Sequence, residues 1–154
     1  AVLPATWSRG NPIDIIGDAP VERYTVALQA LLAEPAAGAV LFMHAPTAIL
    51  ASAAIATACA PLAAPARDRV MGCWLGDAAV AEARETFQHA GIADYATPEE
   101  AVRAALTSLG YRCAEVSIGL SAAATLPPEA DTESRVRAAL AVLRRGVVRK
   151  ETPS

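Results

Sequence analysis

The stretches GNPIDIIGDA at residues 10–19 and VLFMHAPTA at residues 40–48 decide the fold that this sequence predicts. In each stretch, apolar residues give way to a polar loop, and a helical pattern follows. Open α/β proteins place anionic ligands at strand-to-helix turns of this kind. We therefore expect a parallel sheet with a candidate binding edge where these strands end.

The remainder of the chain continues the alternation. Predicted strands cover residues 11–16, 38–43, 70–75 and 92–95, and predicted helices cover residues 20–34, 46–60, 77–89 and 97–109. Thr97-Pro98-Glu99-Glu100 gives the clearest helix start, since it combines a capping box with proline at the first helical position. Strands separated by helices favour right-handed crossovers and a doubly wound parallel sheet with helices on both faces.

The pattern weakens beyond Tyr111. We assign residues 7–111 to the α/β body and residues 112–130 to a linker or edge strand, with residues 113–118 as the strand candidate. We expect residues 131–154 to form a helical extension toward a missing domain. Its predicted helix, residues 131–145, carries acids early and arginines late, as the helix dipole favours.

Composition and charge exclude several classes of protein. The chain has 154 residues, of which 54% are hydrophobic and 19% are charged, as expected for one compact soluble domain. A net charge of -3 does not attract a phosphate backbone, so we expect no nucleic-acid partner. Proline, serine and charges interrupt every apolar run before the roughly 20 residues that cross a bilayer. The first nine residues lack the features of a signal peptide, which predicts a cytoplasmic protein.

Further chemistries are excluded by individual residue types. Lys150 is the only lysine, so the body of the fold offers none for a Schiff base or a P-loop. The turn at Gly17 lacks the G-x-G-x-x-G of dinucleotide sites, and no G-x-S-x-G is present. Three widely spaced cysteines, Cys59, Cys73 and Cys113, predict inert thiols and no metal site.

An ordered set of motifs resembles a known family. Residues 10–15, the helix around residues 24–32, residues 44–48, Trp74-Leu75-Gly76 and residues 90–104 together resemble the NDP-forming acyl-CoA synthetases. More narrowly, they are similar to the second, flavodoxin-like ligase domain of that succinyl-CoA synthetase superfamily. The resemblance covers about residues 7–111, and the same region occurs in synthetase-like protein lysine acetyltransferases.

The resemblance implies a supporting role in a larger enzyme. Its reaction converts acyl-CoA, ADP and phosphate to the acid, ATP and CoA. The implied partners are a CoA-binding domain, a first ligase domain that carries the phosphorylated histidine, and an ATP-grasp domain, and a homo-oligomer is compatible with the family. The parent would bind CoA and ATP or ADP with magnesium. We expect this chain alone to bind no cofactor and to lack a complete active site.

The resemblance also marks candidate site residues. The helix that begins at Pro46, Thr47 and Ala48 would turn its amino end toward the phosphohistidine, since unpaired N–H groups there favour an anion. The alternative is that these residues only start a core helix. His44 is a neighbour of the site, with three roles open: a structural histidine, a phosphate contact or a phosphoryl carrier. Asn11 and Asp14 either pin the local backbone or lie beside the site.

Two other functions remain as alternatives. One is a noncatalytic regulatory or interaction domain of a synthetase-like protein acetyltransferase, motivated by the lack of a nucleotide-binding lysine and glycine-rich loop. The other is a free-standing small-anion binder that uses the helix start at Pro46.

Overall fold

The computed structural model of the chain describes residues 3, 5–108, 125 and 127. The chain divides into two compact units, residues 1–102 and residues 103–154, and most of the described residues belong to the first. The predicted edge strand at 113–118, the linker at 112–130 and the extension at 131–154 lie outside the described residues, apart from positions 125 and 127.

Helices and strands alternate along the described residues. They are α1 (Val21–Ala33), β1 (Val40–His44), α2 (Ser52–Ala63), β2 (Val70–Trp74), α3 (Ala81–His89), β3 (Ala93–Tyr95) and α4 (Pro98–Ser108). Short 3₁₀ segments, Ala64–Arg69 and Asp77–Val80, precede β2 and α3. The predicted α/β alternation is confirmed for this part of the chain. None of the described helices combines the length and the apolar composition that a membrane span requires.

The three strands form one parallel sheet in the order β1-β2-β3. Val40 pairs with Val70 and His44 with Trp74, so β1 and β2 end level with each other. The strands lie in the sheet in the same order as in the sequence. The described strands therefore do not include the change of direction that a doubly wound sheet would have. Because both pairs are parallel, the loops that follow β1 and β2 meet at one carboxyl edge.

The main core lies between one face of this sheet and helices α1, α2 and α3. Phe42, Trp74 and Phe87 form its aromatic centre, with ring centroids 4.9 Å apart for Trp74 and Phe87 and 5.5 Å for Phe42 and Phe87. Gly72 makes room for this cluster, because a Cβ atom there would lie 2.9 Å from Phe87 Cδ2. Aliphatic residues surround the aromatic rings: Leu28, Val40, Ile55, Val70, Val80 and Ile92.

The opposite face of the sheet is less completely covered. Met43 is exposed and Met71 is half-buried, whereas Cys73 is fully buried. Burial, with the nearby negative charges of Asp94 and of the first turn of α4, raises the pKa of the Cys73 thiol. The beginning of α4 therefore lies near this second face.

The predicted strand over residues 11–16 is wrong, because local hydrogen bonds occupy its backbone. The Ser8 hydroxyl donates to the Pro12 carbonyl at 2.6 Å and accepts from the Asp14 amide at 3.0 Å. Asp14 Oδ1 accepts from the Ile16 amide at 2.8 Å, and Ile16 itself has a left-handed φ of 70°. Side-chain bonds of this kind compete with a strand ladder, and the segment pairs with none of the three described strands.

The sequence predicts that the helix after β1 begins at Pro46. In the structure it begins at Ser52. The Pro46 ring packs against the turn that follows β2: a Cβ atom on Gly76 would lie 2.8 Å from Pro46 Cγ. This contact holds the chain in a loop, and the helix starts only where Ser52 reaches the end of β1. The helix also continues through Pro61 to Ala63. Pro61 lacks the N–H that would bond to the Thr57 carbonyl, and Thr57 is an exposed residue.

Candidate functional site

The carboxyl edge of β1 and β2 is formed by two interlocked loops. The Leu75 amide donates to the His44 carbonyl at 2.9 Å, which continues the sheet by one bond beyond β2. Gly76 then adopts a φ of 116°, and Asp77 follows with a φ of 44°. These two left-handed residues turn the chain into the 3₁₀ segment before α3, and they place Gly76 against Pro46.

The structure places Pro46, Thr47 and Ala48 in the exposed loop at this edge. Ile49, in the same loop, is 72% exposed. The free amides at the helix start therefore belong to Ser52 and Ala53 rather than to residues 46–48, since Ala54 already donates to the Ala51 carbonyl at 3.1 Å. Ala51 has no side chain that can cap them. These two amides have no partner within the helix, and Ala53 is partly exposed whereas Ser52 is buried.

His44 is buried at the end of β1 and bonds to two other elements. Its Nδ1 lies 3.2 Å from the Tyr24 hydroxyl, and its Nε2 lies 3.1 Å from the Ser52 hydroxyl. Its ring also packs edge-on against Trp74, with centroids 5.3 Å apart. Burial lowers the pKa of His44 and favours the neutral imidazole. Among its three predicted roles, these contacts support the structural one.

Sequence reasoning missed Tyr24 and Ser52 as partners of His44. Burial raises the pKa of the Tyr24 hydroxyl, which the spacing of the predicted helix at residues 20–34 does not reveal. Ser52 was assigned to the interior of a helix, because that helix was started too early. A serine is rare in so apolar a helix and is commonly found at helix starts, and this was the available signal.

Asn11 and Asp14 are exposed. Asp14 stabilises the turn at Ile16 through the 2.8 Å bond to its amide. This bond fits backbone pinning, which was one of the two predicted roles of Asp14. The partners that the structure gives to His44, namely Tyr24, Ser52 and Trp74, include neither residue.

The charge at this edge is low and negative. Residues 44–52 and 75–80 contain one ionised side chain, Asp77, and no arginine or lysine. Among the described residues, no group of three or more histidine, cysteine or acidic side chains is placed to hold a metal ion. An anion at this edge would therefore be met by backbone amides and not by cationic side chains of these two loops.

The buried thiols do not extend the site. Cys59 and Cys73 are both fully buried. Burial raises the pKa of Cys59 to about 12, which leaves almost no thiolate at neutral pH. Their burial fits the prediction of inert thiols, and Cys113 lies outside the described part of the chain.

An ion pair with a buried carboxylate stabilises the β3 edge of the sheet. Arg84 Nε of α3 donates to Asp94 Oδ2 of β3 at 2.7 Å, and the Asp94 side chain is 1% exposed. Asp94 Oδ1 has no hydrogen-bond partner among the described residues. The pair fixes β3, the shortest strand, to the helix layer, which is a structural role.

The fold and this edge define the class of protein: a parallel α/β domain with a helix start next to the carboxyl ends of its strands. No protein-family model matches the chain. A curated protein does: the chain is 32% identical over 107 residues to acetate–CoA ligase (ADP-forming) I of Archaeoglobus fulgidus. The match covers 66% of this chain and 14% of that ligase.

Solved structures show the same fold. The chain matches the apo form of the dinucleotide forming acetyl-coenzyme A synthetase 1 of Candidatus Korarchaeum cryptofilum with a TM-score of 0.58 and 24% identity, over 98% of this chain and 27% of that one. The same enzyme in complex with phosphate and ADP matches with a TM-score of 0.58 and 24% identity, over 99% and 27% of the two chains. The chain is homologous over most of its length to the ADP-forming acetyl-CoA synthetases, which are NDP-forming acyl-CoA synthetases. It spans about one seventh of the curated ligase and about a quarter of the solved one.

Proposed function

We propose that this chain is the second, flavodoxin-like ligase domain of an NDP-forming acyl-CoA synthetase. The parent reaction would convert acyl-CoA, ADP and phosphate to the acid, ATP and CoA. The observation that carries the proposal is the 32% identity to an ADP-forming acetate–CoA ligase, extended over 107 residues. The alternation of parallel strands and helices supports the same assignment. As part of this proposal, the complete sheet of the domain would be doubly wound.

The chain's contribution to catalysis would be electrostatic. The amides of Ser52 and Ala53, together with the loop of residues 46–51, would face a phosphate or a phosphohistidine. A helix start carries about half a positive charge, which stabilises an anion. His44 would lie behind this surface as a neighbour that holds the helix start.

Other parts of the synthetase would supply what this edge lacks. A CoA-binding domain, the first ligase domain and an ATP-grasp domain would bring the phosphorylated histidine, CoA, and ATP or ADP with magnesium. The chain matches only 14% of the curated ligase, so most of that machinery lies elsewhere. We place the parent in the cytoplasm, and its assembly into a homo-oligomer belongs to the same proposal.

One observation favours a second function. The edge of residues 44–52 and 75–80 carries no cationic side chain, and its one ionised side chain is acidic. A noncatalytic regulatory domain of a synthetase-like protein acetyltransferase would need no phosphate site and would tolerate this charge.

A hybrid enzyme separates the two functions. In the Archaeoglobus ligase, the 107-residue segment is replaced by the matching residues of this chain, and ATP formation from acetyl-CoA, ADP and phosphate is measured. The control is the same ligase with the segment deleted. We expect the hybrid to form ATP and the deletion to form none. A folded hybrid, judged by circular dichroism and gel filtration, that forms no more ATP than the deletion would contradict the synthetase function.

A further inference from the structure

The hydrogen-bonded set of Tyr24, His44 and Ser52 connects three elements of the fold. Tyr24 lies in α1, His44 ends β1 and Ser52 begins α2. The imidazole lies between two hydroxyls, at 3.2 Å from the tyrosine and 3.1 Å from the serine. His44 and Ser52 are 4% and 5% exposed, so water does not compete freely for either bond.

A neutral imidazole gives this set a direction. It carries one ring proton, so one nitrogen donates and the other accepts. In one arrangement Tyr24 donates to Nδ1, and Nε2–H donates to Ser52. In the other arrangement Ser52 donates to Nε2, and Nδ1–H donates to Tyr24.

The Ser52 hydroxyl decides between them. Its bond to His44 is the one hydrogen bond that its side chain makes among the described residues. If Nε2 were the donor, the Ser52 proton would be buried with no acceptor, which proteins avoid. Tyr24 is half-buried, and its hydroxyl proton can reach water when its oxygen accepts from His44.

We infer that Tyr24, His44 and Ser52 form one directed hydrogen-bond chain, from Ser52 O–H to His44 Nε2 and from His44 Nδ1–H to Tyr24 Oη, that sets where α2 begins. Ser52 is the first residue of α2, so these hydrogen bonds connect the start of that helix to the end of β1. The three are positioning residues. Their effect on an anion at the Ser52 and Ala53 amides rests on the proposed function, whereas the direction of the hydrogen bonds does not.

The direction is tested by NMR on the 154-residue protein. Long-range proton–nitrogen spectra, recorded above the ordinary imidazole pKa, identify the protonated nitrogen of each histidine. The protein has two histidines, and the exposed His89 provides the reference signals. We expect His44 to carry its proton on Nδ1. A proton on Nε2 would overturn the inference.

Two substitutions, each of which removes one hydroxyl, test the hydrogen-bond chain from its two ends. Tyr24→Phe removes the acceptor of Nδ1–H, and we expect the proton to move to Nε2, where Ser52 can still accept it. Ser52→Ala removes only a donor to Nε2, and we expect the proton to stay on Nδ1. The opposite pattern, a switch in Ser52→Ala and none in Tyr24→Phe, would overturn the direction even if one variant is less stable.

The positioning role has a separate readout in hydrogen exchange. In Ser52→Ala, we expect the amides of Ala54, Ile55 and Ala56 to exchange about fivefold faster, as the loss of one hydrogen bond predicts. Tyr24→Phe keeps the bond to Ser52 and should change them less than twofold. Unchanged exchange in Ser52→Ala would refute the positioning role. In the hybrid ligase, Ser52→Ala should raise the KM for phosphate. An unchanged KM together with the expected NMR results would refute the anion site but leave the hydrogen-bond chain standing.

Discussion

Gly76 provides the sharpest test of how the two loops at the carboxyl edge fit together. Its φ of 116° is one that residues with a side chain rarely adopt, and Gly76→Ala would force that conformation on alanine. The new Cβ atom would also lie 2.8 Å from Pro46 Cγ and 3.1 Å from Pro46 Cδ, closer than carbon atoms pack. Both effects act against the folded state.

The expected loss of stability is the sum of these two effects. Strained backbone costs about 1–3 kcal/mol, and overpacking costs a similar ~1–3 kcal/mol. We expect Gly76→Ala to lower the free energy of unfolding by about 2–6 kcal/mol. In a Pro46→Ala background, which lacks Cγ and Cδ, the cost should fall to the backbone part alone. Gly38→Ala is the matched control, because a Cβ atom there meets nothing within 4 Å.

Urea unfolding followed by tryptophan fluorescence measures this loss. Trp74 is buried in the core, and a Trp7→Phe background leaves it as the only tryptophan of the two in the chain. We expect Gly38→Ala to change the free energy of unfolding by less than about 0.5 kcal/mol. If Gly76→Ala is no more destabilising than Gly38→Ala, then neither the left-handed turn nor its contact with Pro46 holds the edge as we describe.

Three further predictions concern charge, pH and thiol chemistry. Asp94→Asn should cost about 1.5–3 kcal/mol in urea unfolding, because it removes a buried charge from Arg84, whereas Asp18→Asn, at a carboxylate 67% exposed, should cost less than about 1 kcal/mol. Burial lowers the pKa of His44 from 6.5, so the unfolded state binds more protons between that pH and the folded-state pKa. Stability contributed by neutral His44 should therefore be complete above about pH 6.5 and decline as the pH falls toward the folded-state pKa, with a shallower decline in His44→Gln. Cys59, with its pKa raised to about 12, should react with a thiol reagent only after unfolding, and mass-spectrometric mapping of native and unfolded protein would detect any earlier labelling.

The sequence was sufficient for elements whose signals are local. The strand at residues 70–74 is continuous and apolar. The helix at residue 98 has the first bond of the predicted capping box, since the Glu100 amide donates to Thr97 Oγ1 at 3.2 Å, while Glu100 Oε2 accepts from the Ala96 amide at 3.3 Å. Such signals act within a few residues and do not depend on the rest of the fold.

The sequence was insufficient where contacts between distant residues decide. The start of α2 depends on Pro46 meeting Gly76, and on Ser52 meeting His44, and neither contact is visible as a local pattern. The segment around Asp14 fails as a strand because Ser8 binds its backbone. The predicted start of α2 at Pro46 was therefore six residues too early, since the helix begins at Ser52.

The KM for phosphate in the hybrid ligase tests the central claim most directly. Ala51→Asp adds a carboxylate cap to α2, which should stabilise the helix by about 1 kcal/mol while it occupies the free amides and repels an anion. Ala51→Asn adds a neutral cap of the same shape. We predict that Ala51→Asp raises the KM for phosphate at least about tenfold over Ala51→Asn, the equivalent of ~1.4 kcal/mol, in a protein that is no less stable. Equal KM values for the two variants would contradict the claim that the start of α2 faces the phosphate.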